Sequence, residues 1–390
     1  MKANSSKATF LFPCLEEGLQ GQDLQTSRGN YYSLYIWSSS VPSSIYKTVL
    51  PMNNLSRMLA RKFVLAKPFE GLPKLSDFQL VEETISPELQ EGEWLTVDPY
   101  MRLRSASSMS IGDQFGGGQV ARVIKSRCDE FPEGSQVVGY FGWRDLTVYK
   151  PVAGGPRTYQ TIQKLPEMKG LPDSYALGCM GMPGNTAYHG LLDICNPKAG
   201  ETLVVSAAAG AVGSLVGQIG KIKGLKVIGF AGDEEKVRWL TEELGFDLAF
   251  NYKKVNLDET FKKYAPQKID CYFDNVGDEF IYHVVQNMNE FGRISQCGSI
   301  SMYNKDRKKG ELPLVPFDYP YFRFNQMKLE GFNVRRWSHC WYDAVNEIRD
   351  WILEGKIKVR ESVTDGFENM PQAFIELLQG KNIGKQIIKA

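Results

Sequence analysis

Residues 203–236, LVVSAAAGAVGSLVGQIGKIKGLKVIGFAGDEEK, decide the fold of this chain because they contain a complete strand, turn, helix and second strand. A short apolar β-branched run at residues 203–205 predicts the first strand, and residues 226–230 predict the second. Between the two runs, apolar residues recur at helical spacing over residues 211–221, which predicts the connecting helix. This order of elements is typical of a parallel α/β sheet.

The turn between the first strand and the helix predicts a dinucleotide site. A pyrophosphate would lie on the free amides at the start of the helix, where the helix dipole also favours an anion. The motif is a degenerate G-x-G-x-x-G, since Ala208 stands at the first glycine position, followed by Gly210 and Gly213. Small-residue turns before helices also arise from close packing alone, but this position between two strand-forming runs favours nucleotide binding.

The end of the second strand, Ala231-Gly232, indicates which dinucleotide is preferred. An NAD-selective fold usually presents a carboxylate there to the ribose 2′-hydroxyl. This tip is apolar, and Lys236 follows one helical turn later. Because an ammonium group attracts a 2′-phosphate, the pattern favours NADPH. Two alternatives stay open: Asp233 leaves room for NAD, or Asp233 only caps the helix while Lys236 is a solvated surface charge.

The composition argues against several other classes of partner. The 390 residues carry a formal net charge of +1 without a long basic run, so neither nucleic acid nor an anionic membrane surface is predicted as a partner. No apolar run approaches the roughly 20 residues that cross a bilayer. The seven cysteines form no C-x-x-C pair, which is typical of reduced thiols in a cytoplasmic protein. None of the three histidines lies in a zinc-binding pattern, so no metal is predicted.

The chain divides by composition into a polar head and a globular remainder. Residues 1–57 are rich in Ser, Asn, Gln and Tyr and lack sustained periodicity, and we interpret them as a disordered extension or as a segment that is not translated in this form. Short runs broken by Gly and Pro then predict strands of a small β-barrel, after which helix and strand alternate as far as about residue 300. The runs of the barrel are 63–65, 78–80, 119–124 and 136–140.

Several longer strings resemble one known family, in order and at matching separations over residues 58–390. On these strings the chain is identified as a member of the zinc-independent medium-chain dehydrogenases/reductases. Within them it resembles the prostaglandin reductase/leukotriene B4 12-hydroxydehydrogenase group, which includes the alkenal double-bond reductases. The strings are LTVDPYMR (95–102), ALGCMGMPGNTAYHGLLDIC (176–195), AAAGAVGSLVGQIGK (207–221), DCYFDNVGDEF (270–280), FGRISQCGSISMYN (291–304), GFENMPQAF (366–374) and NIGKQIIK (382–389).

The resemblance implies an α/β fold with a cleft between two domains. A GroES-like β-barrel domain, the catalytic domain, would comprise residues 58–179 and 318–390. A Rossmann domain with a doubly wound parallel sheet would comprise residues 180–317 and bind NADPH. The resemblance also implies a cytoplasmic homodimer that acts on a small lipid-derived molecule.

The resemblance further implies an oxidoreductase of lipid metabolism that uses NADPH to reduce the carbon–carbon double bond of α,β-unsaturated aldehydes and ketones, including lipid enals and oxo-prostaglandins. The turn from Gly210 to Gly213 would hold the pyrophosphate, Lys236 and Tyr252 the 2′-phosphate, and Asn275 would lie near the nicotinamide ribose. The full set of implied NADPH-binding residues is Gly210, Ala211, Val212, Gly213, Lys236, Tyr252, Asn275, Cys297, Gly298, Ser299, Ile300, Ser301, Tyr303, Phe332, Asn333, Val334 and Asn382.

The chemistry of such a reduction points to a hydroxyl group. Hydride addition to the β-carbon of an enone moves negative charge onto the carbonyl oxygen, and this enolate needs a donor already directed at it. Without zinc, the candidates are the ribose 2′-hydroxyl and Tyr303, which is also the candidate source of the α-proton. The alternative is that Tyr303 only lines and shapes the cleft. Tyr100 is predicted to pack against the substrate, with Arg102 in the same wall.

One stretch departs from the family pattern. About six residues, most of a typical strand, are missing between Glu93 and Trp94. A lost barrel strand would expose two neighbouring edges and displace Tyr100 and Arg102, at a cost comparable to the stability of a domain. Two alternative functions therefore stay beside the leading one: an NADPH quinone reductase of the same superfamily, and a catalytically weak NADPH-binding or interaction protein.

Overall fold

Strands from both ends of the chain meet in one eight-stranded sheet. In the computed structural model, residues 34–37, 58–85, 90–149, 161–305 and 319–390 are described, the first of these segments by its backbone only. At residues 34–37 the structure has a strand, where the sequence predicted a disordered extension; the rest of that prediction, for residues 1–33 and 38–57, lies outside the described residues. In order across the sheet, the strands are β15 (Glu361–Asp365), β16 (Lys385–Lys389), β4 (Gln90–Thr96), β7 (Leu146–Tyr149), β1 (Leu34–Trp37), β5 (Gln119–Ser126), β6 (Gln136–Gly139) and β8 (Gln163–Lys164).

A two-stranded antiparallel ribbon and two helices accompany this sheet. The ribbon encloses an aromatic core in which Phe78 and Trp143 stack with ring centroids 5.9 Å apart. Phe115 stacks on Trp143 at 4.8 Å, so aromatic rings pack against one another in this core. The ribbon consists of β2 (Met58–Leu65) and β3 (Phe78–Ile85), and the helices are α1 (Tyr100–Ser108) and α9 (Met370–Leu378).

The second sheet has six strands, and all of its pairings are parallel. Its strand order reverses between β9 and β12, which is the doubly wound arrangement of a Rossmann fold. Across the sheet the strands are β11 (Leu248–Asn251), β10 (Lys226–Ala231), β9 (Thr202–Val205), β12 (Ile269–Asp274), β13 (Met288–Gln296) and β14 (Lys328–Gly331). The helices of this part of the chain are α2 (Met182–His189), α3 (Gly213–Ile222), α4 (Glu234–Arg238), α5 (Leu257–Tyr264), α6 (Glu279–Gln286), α7 (Tyr319–Phe324) and α8 (Trp341–Leu353).

The sequence prediction for the first crossover is confirmed within two residues. The predicted strands at 203–205 and 226–230 are β9 and β10, and both are buried along most of their length. The predicted helix at 211–221 is α3, which begins at Gly213 because Ala211 and Val212 remain in the turn. The α/β fold class with a parallel Rossmann sheet and a β-barrel sheet is therefore confirmed.

The shortened strand before Trp94 has a neighbour that the sequence did not indicate. Ile36 of β1 and Gln90 of β4 both pair with Val123 of β5 and with Thr147 of β7. Both β1 and β4 run antiparallel to β5, so β1 overlaps the first residues of β4 and extends the same strand position on the N-terminal side of Gln90. Over Leu34–Trp37 the edges of β5 and β7 are consequently paired rather than exposed.

The C-terminal segments contribute to both sheets. The strands β15 and β16 pair in parallel, and β16 pairs antiparallel with β4, which places both in the barrel sheet. The strand β14 pairs with β13 in the Rossmann sheet, although the predicted boundary at residue 318 would assign it to the barrel domain. The domain boundaries themselves stay a prediction. The six described cysteines are free thiols, and Cys14 lies outside the described residues.

Candidate active site

A cleft of about 770 Å³ lies between the carboxyl ends of the Rossmann strands and the barrel sheet. The Rossmann side includes the segments that follow β9, β10, β12 and β13, and the barrel side includes Tyr100 of α1 and Tyr140 after β6. Open α/β sheets bind ligands outside the carboxyl ends of their strands, at the point where the strand order reverses. The cleft occupies that position.

The turn after β9 forms a backbone cradle that admits only glycine at its end. A Cβ atom at Gly213 would lie 2.5 Å from the carbonyl oxygen of Ala207 and 2.8 Å from the Cα of Ala208. Any larger residue would therefore displace the turn from the start of α3. The helix starts at Gly213 and lies with its N-terminus at the cleft, where free amides and the helix dipole suit a pyrophosphate.

Lys236 is a buried cation on α4, the helix that follows the end of β10. Its side chain is 10% exposed, and its ammonium donates to the carbonyl oxygen of Gly380 and lies 3.5 Å from the carboxylate of Asp233. Asp233 does cap α4, by accepting a hydrogen bond of 2.9 Å from the backbone N–H of Lys236. Lys236, however, is not a solvated surface charge, and that alternative is wrong.

The surroundings of Lys236 suit an anion. Burial lowers the pKa of the Lys236 ammonium, Asp233 opposes this shift, and the nearby charge of Lys253 adds to it. Tyr252 and Lys253 line the same end of the cleft. A phosphate bound there would meet two ammonium groups and a phenol, so this end of the cleft fits the 2′-phosphate of NADPH.

Asn275 and Cys297 follow β12 and β13 and are fixed by hydrogen bonds to neighbouring strands. The backbone and side-chain amides of Asn275 donate to the hydroxyl and the carbonyl oxygen of Ser206, at 2.9 and 2.8 Å. Burial, with a contribution from the charge of Asp274, raises the pKa of the Cys297 thiol to about 12. Cys297 is therefore a neutral thiol at physiological pH and a poor nucleophile.

Tyr303 presents a neutral phenol to the cleft from the end of a short 3-10 helix, Ile300–Met302. Its hydroxyl lies 3.4 Å from the backbone N–H of Ser299, which donates to it. Burial raises the pKa of Tyr303, the hydrogen bond from Ser299 opposes the shift, and the neighbouring Cys297 and Asp274 side chains add smaller contributions to it. The phenol consequently keeps its proton at neutral pH and can act as a hydrogen-bond donor.

The cleft brings most of the predicted site residues together, and their roles stay predictions. Ser299 does not line it, and its position is explained by its hydrogen bond to Tyr303. Tyr100 lines the barrel side, as predicted for the substrate wall. The predicted cofactor residues that line the cleft are Gly210, Ala211, Val212, Gly213, Lys236, Tyr252, Asn275, Cys297, Gly298, Ile300, Ser301, Tyr303, Phe332, Asn333, Val334 and Asn382.

Arg102 does not line the cleft, contrary to the expectation that it shares the substrate wall with Tyr100. It is 3% exposed, and its Nε donates to the Oδ1 of Asn304 at 3.1 Å. Its Nη2 donates to the carbonyl oxygen of Gly71 at 2.9 Å. The guanidinium thus points into the protein beside the cleft because residues on two other segments accept its hydrogen bonds.

Sequence reasoning missed several residues of the cleft. Arg104 of α1 donates to the hydroxyl of Tyr140 at 2.7 Å, and the hydroxyls of Tyr140 and Tyr100 lie 3.4 Å apart. Nothing in the local sequence around Tyr140 signals this position, which results from the pairing of β5 with β6. Lys253 could have been found, because it directly follows the predicted phosphate residue Tyr252.

No metal centre is formed by the part of the chain that the structure describes, which holds no group of three or more His, Cys, Asp or Glu side chains suited to a metal ion. His189 is buried, and its ring stacks on Trp337 with centroids 5.0 Å apart. His189 therefore packs in the interior of the protein. Among the described residues, no helix combines the length and apolar character that crossing a membrane requires.

Known proteins resemble this chain along most of its length. Residues 61–154 match a family described as the N-terminal domain of oxidoreductase, and residues 211–350 match one described as zinc-binding dehydrogenase. Prostaglandin reductase 1 of Bos taurus is 48% identical over 340 residues, which is 85% of this chain and 99% of the relative. An NADP⁺-dependent 2-alkenal reductase of Nicotiana tabacum is 37% identical over 351 residues, 86% of this chain and 98% of the relative.

A solved structure resembles this chain in both fold and sequence. The crystal structure of CurA in complex with NADPH from Vibrio vulnificus superposes with a TM-score of 0.77 at 38% identity. The alignment covers 85% of this chain and 99% of that chain. The likeness therefore extends over most of the chain.

Proposed function

Since this chain belongs to the zinc-independent medium-chain dehydrogenase/reductase family, in its prostaglandin reductase group, we propose that it is an NADPH-dependent reductase of the carbon–carbon double bond in α,β-unsaturated aldehydes and ketones. The observation that carries the proposal is that the buried ammonium of Lys236 and the neutral phenol of Tyr303 line one cleft. The first suits a phosphorylated dinucleotide, and the second suits an oxygen that gains negative charge.

The residues around the Rossmann turn fit NADPH. The cradle before α3 is too narrow for a Cβ at Gly213, and backbone amides converge there at the helix start. Lys236 is held at the tip of β10 by Gly380 and Asp233, so its ammonium is oriented before any phosphate arrives. NADPH, when bound, supplies the hydride that reduces a carbon–carbon double bond.

Tyr303 stabilises the substrate's developing enolate. As the β-carbon gains hydride, the carbonyl oxygen becomes negative, and a hydroxyl that is already oriented needs little reorganisation to donate to it. The N–H of Ser299 donates to the Tyr303 hydroxyl oxygen, which orients the phenol and leaves its own proton free for the substrate. The same proton is the source for the α-carbon when the enolate collapses, with solvent restoring the phenol.

The substrate class that we propose is a lipid-derived enal or an oxo-prostaglandin, in lipid metabolism. Tyr100 and Tyr140 give the barrel side of the cleft broad aromatic walls, and Val138 and Leu177 add aliphatic surface. Apolar walls with few polar groups suit an alkyl chain attached to a polar enone.

We also propose that the protein is a cytoplasmic homodimer. Among the described strands, β14 forms one edge of the Rossmann sheet, and an open edge offers backbone groups to a second copy. Light scattering on the purified protein tests this. A mass of twice 44.0 kDa supports the dimer, and a mass of 44.0 kDa contradicts it.

The experiment that tests the activity is a screen of NADPH oxidation with the full-length protein over enals, enones and quinones. We expect the highest kcat/KM with enals or enones and a much lower value when NADH replaces NADPH. Turnover of quinones alone would support the quinone reductase alternative. NADPH binding without turnover of any acceptor would support the catalytically weak alternative, and either result would contradict the proposed function.

A further inference from the structure

Arg102 is a buried cation for which the proposed reaction has no use. Arg102 lies on α1, two residues after Tyr100, yet its guanidinium does not line the cleft. Among the described residues no carboxylate approaches it within the 4.0 Å of a salt bridge, and Asp77 acts on it only at longer range. A charge buried without an ion pair is destabilising unless its hydrogen bonds are strong. The hydrogen-bond partners of Arg102 therefore indicate what this buried charge does in the protein.

The partners of Arg102 lie on two different parts of the chain. One is the backbone carbonyl of Gly71, and close to it the ring of Phe69 lies 5.2 Å below the guanidinium carbon. Both contacts are within the barrel part of the protein. The third is the side-chain oxygen of Asn304, which follows Tyr303 directly in the chain and belongs to the loop after β13.

The loop that carries Tyr303 is attached to the Rossmann part at both ends. The hydroxyl of Ser301 donates to the carbonyl oxygen of Val276 at 2.6 Å. The ammonium of Lys305 pairs with the carboxylate of Asp278, also at 2.6 Å. These contacts fix the loop to the segment after β12, but they do not fix its distance from the barrel. The Asn304–Arg102 hydrogen bond supplies that attachment.

Tyr100 and Tyr303 face the same cleft from opposite sides. Arg102 lies on the helix that begins with Tyr100, and Asn304 is the chain neighbour of Tyr303. The hydrogen bond between Arg102 and Asn304 consequently connects the two sides of the cleft. Each of its two residues is only one or two positions in the chain away from a tyrosine that lines the cleft. A planar guanidinium with several fixed donors can hold such a geometry better than a flexible ammonium.

We propose that Arg102 is a positioning residue that, through Asn304, holds the Tyr303 hydroxyl at the distance from the Tyr100 wall that an enone requires. The inference rests on the proposed reductase function and adds to it a specific connection between barrel and Rossmann loop. Small errors in the placement of a catalytic group lower turnover steeply, so the connection affects rate more than cofactor binding.

A double-mutant cycle tests this connection in the full-length protein. Asn304→Ala removes the acceptor, and Arg102→Lys keeps the charge but removes the planar donor. We expect each variant to lower kcat for an enone about tenfold, with NADPH affinity changed less than about twofold. The double variant should be no slower than either single one, because both changes break the same hydrogen bond. Phe69→Leu is the matched control: it weakens a barrel contact of Arg102 and should lower Tm while leaving kcat unchanged.

Amide hydrogen exchange gives a readout that does not require activity. With NADPH absent, we expect Asn304→Ala and Arg102→Lys to speed exchange in the loop of residues 299–305, and Phe69→Leu to leave it unchanged. If the two changes multiply in the double variant, or if loop exchange stays unaltered, Arg102 is only a structural residue of the barrel. If the two variants show faster loop exchange but the unaltered protein reduces no enone, the structural connection is supported and the proposed function is contradicted.

Discussion

Lys236 is the residue on which we propose that the choice of cofactor depends. The sequence places a lysine one turn after the apolar tip of β10, and this alone predicts a phosphate contact. The structure adds that the ammonium is buried and already held by Gly380 and Asp233. Burial makes the charge more effective, because fewer water molecules compete with the phosphate.

Replacing Lys236 with alanine should therefore separate the two dinucleotides. We expect Lys236→Ala to raise the KM for NADPH about tenfold or more, the equivalent of one charge-assisted hydrogen bond, and to leave the KM for NADH nearly unchanged. Steady-state kinetics with each cofactor measures this. An equal increase for both would mean that Lys236 does not contact the 2′-phosphate.

The lowered pKa of Lys236 predicts a pH dependence on the alkaline side. An ammonium loses its charge as the pH rises through its pKa, and burial places that loss below the ordinary value for lysine. NADPH affinity should thus weaken at high pH earlier than an exposed lysine would allow, while NADH affinity should not. Lys236→Arg is the control, since a guanidinium stays charged throughout and should remove the effect.

Tyr303 is the residue on which turnover should depend. Tyr303→Phe removes the only proton that the phenol can give and keeps the ring that shapes the cleft. We expect kcat for an enone to fall about 100-fold, within the usual range for a lost acid catalyst, with NADPH affinity almost unchanged. Unchanged turnover would restrict Tyr303 to lining the cleft.

Arg102 is an example of a residue whose side-chain direction could not be predicted from the sequence. Its place in the VDPYMR string puts it on the same helix as Tyr100, but the direction of its side chain depends on Asn304 and Gly71, which are far away in the sequence. Side-chain direction of this kind has no local signal. The same holds for Tyr140, whose position depends on strand pairing.

At the scale of elements, the first crossover could be predicted almost completely. Its strands are apolar runs and its helix has a clear apolar period, so local pattern and final structure agree. The strand β1 could not be predicted. It pairs with β5 and β7, more than 80 residues away along the chain, and a four-residue run in a polar segment carries no pairing information.

Two deletions test the contribution of β1. Removing residues 1–57 eliminates β1 and leaves the neighbouring stretches of β5 and β7 without their partner, so we expect Tm to fall by several degrees. Removing residues 1–31 keeps β1 and should leave Tm unchanged. Equal Tm values for the two shortened proteins would show that β1 contributes nothing to stability.

At the scale of the whole molecule, the C-terminal segment joins the two sheets at the cofactor end of the cleft. The backbone N–H of Gly384 donates to the carbonyl oxygen of Ala209 in the Rossmann turn at 2.8 Å. The next residues form β16 of the barrel sheet. The pairing of distant segments explains why sequence alone predicts the presence of two sheets more surely than the boundary between them.

The most direct test of the proposed reaction follows the hydrogen that is transferred. The full-length protein would be given an enone and NADPH that carries deuterium at both positions of the nicotinamide C4, and the product would be analysed by mass spectrometry and NMR. The account predicts a saturated ketone with one deuterium on the former β-carbon and a solvent-derived proton on the α-carbon. An allylic alcohol with deuterium on the former carbonyl carbon, or no transfer of deuterium, would contradict it.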